Sequence, residues 1–256
     1  MLRSIFTFTI LVITGSTFPV VQETSIAVTC ASNLAIPVEV SGACYYPSGN
    51  TCPTIAQKLT DDKDDGRSRG LVVQNKDIVS HTYFVYKNNC DCMPVKYITI
   101  PGNDMRFVSF SAGFQGRMTR GTESANLNGK YHLLGTWVEF SWDTDGTGWA
   151  DVSLIKGCDG AVDMVALDEN GAKTGFSDNV LSNAPTGSYK QKAGSGAVVI
   201  METESRTDPA IVNKASRDWL AGKLGYAKAY IDDYHGHQDI CSVNGRFHIN
   251  FYKGRH

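Results

Sequence analysis

Five short runs constrain this chain more than any other feature. "HTYFVYKN" (81–88), "KYITIPG" (96–102), "MRFVSFS" (105–111), "TWVEFSW" (136–142) and "FHINFY" (247–252) alternate large residues with polar ones. Gly, Pro, Asn or Asp lies at or near their ends. Side chains on a strand point alternately to opposite faces, so each run predicts a half-buried strand. Several such strands at short intervals predict a β-sandwich. The 22 Tyr and Phe residues and 25 glycines favour the same class. One segment breaks the pattern. "DPAIVNKASRDWLAGKLG" (208–225) spaces Ile211, Val212, Ala215, Trp219, Leu220 and Leu224 as one helix face. Asp208 is its expected N-cap, with Pro209 in the first turn and Gly225 as the stop.

The N-terminus reads as an export signal. Arg3 precedes an apolar run, Ile5–Ile13, and small residues follow at Gly15 and Ser16. The run is shorter than the roughly 20 residues that span a bilayer. The expected signal is 1–22, with cleavage between about residues 16 and 23. Residues 23–70 are expected to form a Cys-containing extension that ends in a solvated linker, "DDKDDGRSRG" (61–70), and residues 71–256 the main domain. All seven cysteines (30, 44, 52, 90, 92, 158 and 241) follow the signal, so disulfides are expected, with an odd thiol left over.

Several functions lack support. A net charge of −2, with no basic–aromatic clusters, gives no nucleic-acid signature. "CDC" (90–92) has no second pair at zinc-finger spacing, and the six histidines are scattered, so neither a metal nor a cofactor is expected. There is no G-x-S-x-G elbow and no phosphate loop. No later run is long and apolar enough to span a membrane as a helix.

Four blocks, in order, resemble the thaumatin-like protein family. "NNC" (88–90) resembles the Asn-Cys close of its first strand, and "GFQGRMTRGT" (113–122) its Gly-Arg-Ile-Trp-Gly-Arg-Thr block. "TWVEF" and "ADVSLIKGCDG" (150–160) resemble Thr-Leu-Ala-Glu-Phe and Tyr-Asp-Val-Ser-Leu-Val-Asp-Gly-Phe-Asn. "ASRDWLAGKLGYAKAYIDDYHGHQDIC" (215–241) with "GRFHINFY" (245–252) is similar to the family's helix, Asp-Asp turn and closing strand. The resemblance runs from about Thr82 to Tyr252. It implies a mainly β, thaumatin-like antiparallel sandwich with a smaller helix and loop region inserted late. The family's Cys-rich second domain is Cys-free here over 159–240, and its closing Cys is absent near Tyr252, leaving Cys90 without its usual partner. On the same resemblance, Cys158 and Cys241 are paired.

The family's acidic cleft maps onto Arg117, Glu139, Asp151 and Asp232 or Asp233, of which Asp233 is taken as the site residue. A further family acid is Lys156 here, with Asp159 three residues on as a conceivable replacement. Alternation independently puts Glu139 with Trp137 and Ser141, and Asp151 with Trp149 and Ser153, on faces opposite the core, where both acids are expected to meet solvent. Acids beside aromatic rings suit a carbohydrate surface. The expected protein is secreted and binds cell-wall β-glucan or a related polysaccharide through Arg117, Glu139, Asp151 and Asp233. One alternative is a weak endo-β-1,3-glucanase with Glu139 and Asp151 as its catalytic carboxyls. Another is a secreted effector or defence protein acting on a protein or membrane target.

Overall fold

The computed structural model describes residues 36–39, 42, 44, 51–206, 208–236 and 238–255. The signal at 1–22, Cys30, His237 and His256 lie outside the described residues. In chain order the strands are β1 (Gln57–Leu59), β2 (Gly70–Asn75), β3 (His81–Lys87), β4 (Lys96–Ile100), β5 (Met105–Ser109), β6 (Gln115–Gly121), β7 (Trp137–Trp142) and β8 (Gly148–Ser153). They continue as β9 (Gly160–Ala166), β10 (Lys173–Gly175), β11 (Tyr189–Gln191), β12 (Val198–Ile200), β13 (Ile240–Ser242) and β14 (Arg246–Gly254). The helices are α1 (Glu123–Asn126), a single turn, and α2 (Lys214–Leu224).

The protein is a mainly β sandwich. Seven strands form one sheet in the order β1-β4-β3-β6-β7-β8-β13, five form the other as β10-β9-β14-β2-β5, and β11-β12 make a small ribbon. Pairing within the sheets is antiparallel except for β1 with β4 and β2 with β14. The closing strand thus lies beside the first strand of its sheet, and no hairpin dictates its direction. The core fills the space between the sheets. Phe110, Phe140 and Trp142 cluster there, with Phe110 ring centroids 5.0 Å from Phe140 and 4.7 Å from Trp142. Each of the five alternating runs supplies most of a strand or lies within one. Alternation breaks down in burial on β3, because its outward Phe84 and Tyr86 pack with Tyr97 in a second cluster covered by Ala56 and Leu127.

Helix α2 starts five residues later than the Asp208 cap predicts. The Asp208 side chain accepts from Ala210 N (3.0 Å), closing a local turn. Asn213 N then donates to Thr203 O (2.7 Å), holding the chain extended, and the Asn213 side chain caps Ser216 N (3.4 Å). Gly225 ends the helix at φ 68, as its position predicts.

The cysteine pairing implied by the resemblance is overturned. Cys44 bonds to Cys92 and Cys52 to Cys90, while Cys158 and Cys241 are free thiols. Cys158 is sealed in the core, whereas Cys241 sits on edge strand β13 opposite Trp149. Cys90 therefore has a partner, in the stretch before β1. Both bridges tie that stretch to the segment between β3 and β4.

The acidic stretch expected to be a solvated linker is largely exposed, yet it is also hydrogen-bonded to the sandwich. Asp61 accepts from Phe107 N (3.0 Å). Asp62 accepts from the backbone and hydroxyl of Ser109 (2.8 and 2.7 Å). Asp64 takes both oxygens to the Arg246 guanidinium (2.8 and 2.9 Å). Asp61 and Asp62 thus satisfy N–H groups along β5, the edge of its sheet.

Candidate functional site

The seven-stranded sheet carries the site on its outer face. In β6, alternation turns Met118 and Arg120 inward and Arg117 outward. Register then places Arg117 opposite Glu139, and Glu139 opposite Asp151. Arg117, Glu139 and Asp151 form one row across β6, β7 and β8. Trp149 stands one pair along on the same face, opposite Ser141, and is 43% exposed. Trp137 lies on the other side of the row, opposite Ser153.

Arg117 is held rigidly. Its guanidinium is 4.0 Å from the Trp137 ring centroid and 4.9 Å from that of Tyr86. Its charge is engaged by Asp91 at 2.7 Å, so it forms no ion pair with Glu139. Only 4% of the residue is exposed, and its Nε has no hydrogen-bond partner.

Alternation predicts that the two acids meet open solvent; instead they are half-buried. Burial pushes the Glu139 carboxyl above its ordinary range, Arg117, Ser153 and Lys156 pull it back, and Asp233 pushes it up again. Asp151 is raised well above its range by burial, by Glu139 and by Asp239. Its Oδ1 is buried without a hydrogen-bond partner. Directly opposed carboxylates on paired strands cannot both ionise freely.

Further acids surround the row. A parallel bridge from Ser153 to Tyr230 holds the following turn against β8. Of that turn's two aspartates, Asp232 is buried and caps Tyr234 N and His235 N (both 3.0 Å), whereas Asp233 is exposed and acts on Glu139. Asp233 N donates to buried Glu204 (2.8 Å), whose carboxyl is raised by burial and by Asp233. Asp239 accepts from the Tyr230 hydroxyl (2.9 Å). Glu204 and Asp239 escape a sequence reading: one lies in an irregular segment and the other just ahead of a three-residue strand. Asp239 precedes Cys241 by two, which is the one hint that it shares the face of Trp149's partner.

Lys156 contributes positive charge to Glu139, as its replacement of an acid implies. Asp159 does not substitute for the missing acid. It is fully buried, with Lys192 Nζ at 2.8 Å and Arg120 Nε at 3.9 Å. Past Lys156 and Glu204 opens a groove of about 430 Å³, lined in part by Tyr131, Leu134 and Ile211, where the Arg206 guanidinium lies 4.0 Å from the Tyr131 ring centroid. No group of three His, Cys, Asp or Glu among the described residues is placed to hold a metal ion. Nor is any helix among them long and apolar enough to cross a membrane.

No protein-family model matches the chain, and no curated protein matches it. Among solved structures it is similar to the protein elicitor MoHrip2 from Magnaporthe oryzae, with 12% identity and a TM-score of 0.30, over 44% of this chain and 79% of that one.

Proposed function

We propose that this is a secreted, thaumatin-like protein that binds a cell-wall polysaccharide, of the β-glucan class or a related one, on the outer face of its seven-stranded sheet. The observation that carries the reading is the row itself: Arg117, Glu139 and Asp151 in register on three adjacent strands, flanked by exposed Trp149. An aromatic ring offers a sugar its apolar face, and carboxylates accept hydroxyl hydrogen bonds. Asp233 extends the acids past the row's edge. Two disulfides fit an oxidising compartment and so support export. The test is a laminarin-binding isotherm for the wild type and Glu139→Gln. Binding should weaken about tenfold in the variant, the effect of losing one charged hydrogen bond. Equal affinity in both proteins rejects the site.

A second reading has its own support. Cross-strand neighbours place Cβ atoms about 4.5–5.5 Å apart, close to the roughly 5–5.5 Å between the carboxyls of a retaining glycosidase. Such chemistry needs one carboxyl protonated and its partner ionised. Both are raised here, Asp151 further and Glu139 drawn back by Arg117 and Lys156, so on this reading Asp151 is the general acid and Glu139 the nucleophile, the reverse of the assignment expected from sequence. New reducing ends released from laminarin, and lost in Glu139→Gln, would establish the enzyme over the binder.

A further inference from the structure

The outer face has a charge imbalance that its protein groups correct only in part. Glu139, Asp151, Asp233, Asp239 and Glu204 act on one another, and the cations nearby are Lys156 and an Arg117 already bonded to Asp91. A carboxylate left buried without a partner costs free energy in the unliganded protein, so its retention needs a cause outside the fold. One orphaned atom on the row marks where that cause acts: Asp151 Oδ1 is a buried acceptor with no donor. A ligand that satisfied it would bring a cationic donor. A compact metal ion does not fit, since no three ligating groups among the described residues converge. Trp149, exposed one pair from Asp151, offers a flat apolar surface to a sugar ring.

We propose that the ligand of this face is an amine-bearing oligosaccharide, a glucosamine oligomer, with its ammonium groups on Glu139, Asp151 and Asp233 and a ring against Trp149. This rests on the polysaccharide-binding reading and narrows it from neutral to cationic sugars. The ammonium supplies the missing counter-charge. N-acetylation removes the charge and leaves the backbone of the sugar unchanged, so paired oligomers isolate the feature that matters.

Calorimetric titration of the whole secreted protein, at mildly acidic pH and low salt, compares four probes. They are a glucosamine oligomer, an N-acetylglucosamine oligomer of equal length, a laminarin oligosaccharide and a short oligolysine. The glucosamine oligomer should bind at least about tenfold tighter than its acetylated counterpart, the size of one charge-assisted bond. Its affinity should fall with added salt, because the acids are only half-buried. Asp151→Asn should lower it about tenfold with the thermal transition retained. Trp149→Ala, at an exposed position, should lower it without affecting folding. Equal affinity for the two glucosamine series overturns the amine assignment. If laminarin binds tightest and Asp151→Asn weakens it, the amine fails while the polysaccharide face stands. If no saccharide binds, both fail, and tight oligolysine binding in that case points to a basic peptide.

Discussion

The acids at 61–65 and those on the outer face of the seven-stranded sheet differ in how they are used. In the first stretch, Asp61, Asp62, Asp64 and Asp65 each accept backbone N–H groups, a hydroxyl or a guanidinium. The Ser68 and Arg67 N–H groups and the Ser68 hydroxyl bring Asp65 down to about 2. On the sheet face, Glu139 and Asp151 oppose each other half-buried, and their carboxyls are pushed up. Acid content is similar, yet one set holds the fold together and the other strains it. An acid run in sequence therefore says little until its partners are known. What separates structure from function here is whether the donors come from the chain or are missing.

The strongest test of that contrast uses the best-partnered acid of all. Burial pushes the Asp159 carboxyl up, but Lys192 and Arg120 outweigh it and hold it below the ordinary range. A group with a depressed folded value stabilises the protein above its unfolded pKa, and that contribution is lost as pH falls through the folded value. Asp159→Asn should cost about 3–5 kcal/mol in chemical denaturation at neutral pH, because it strands two buried cations. A cost below about 1 kcal/mol would place Asp159 with ordinary surface pairs. Asp62→Ala should cost less, about 1.5 kcal/mol, since its half-buried carboxylate serves Ser109 with two bonds. If removing Asp62 leaves unfolding unchanged, the bonds of the 61–65 stretch add nothing to the fold and the contrast between the two regions weakens.

Sequence carried the contrast only halfway. Each of the five alternating runs coincides with a strand over most of its length, and alternation put Glu139 and Asp151 on the face away from Phe140, Val152 and Leu154, which are buried. It could not show how deeply that face is covered, because the covering turn at 230–233 comes from far along the chain. Strand β6 was opaque for a related reason. "QGRMTRG" looks polar, yet Arg117 is sealed by aromatic rings and Asp91, and Arg120 by Asp159 and the Tyr252 carbonyl. The bonding of the exposed 61–70 stretch is hidden in the sequence because its partners, β5 and Arg246, are distant along the chain. Cysteine connectivity is likewise set by tertiary proximity. The pairing of Cys44 with Cys92 and Cys52 with Cys90 has no local signature.

The smallest expected effect discriminates most finely. Asp151 has a folded carboxyl pKa above its unfolded value, from burial first and then from Glu139 and Asp239. The native state therefore keeps its proton longer than the unfolded chain does. Between the two values the unfolded chain ionises first, so stability falls as pH rises through that window. Below the unfolded value both states are protonated and the penalty vanishes. Asp151→Asn removes the titration while keeping the shape of the side chain. At neutral pH it should raise stability by up to about 1 kcal/mol, the scale of like charges directly opposed across strands. At about pH 3, under the ordinary carboxylate range, the gain should disappear. Paired denaturation curves at the two pH values measure both. A neutral-pH loss in the Asn variant would mean that Asp151 has a donor after all and belongs with Asp62. A gain in stability together with weaker saccharide binding would identify the row as a place where the fold tolerates strain for the sake of a ligand.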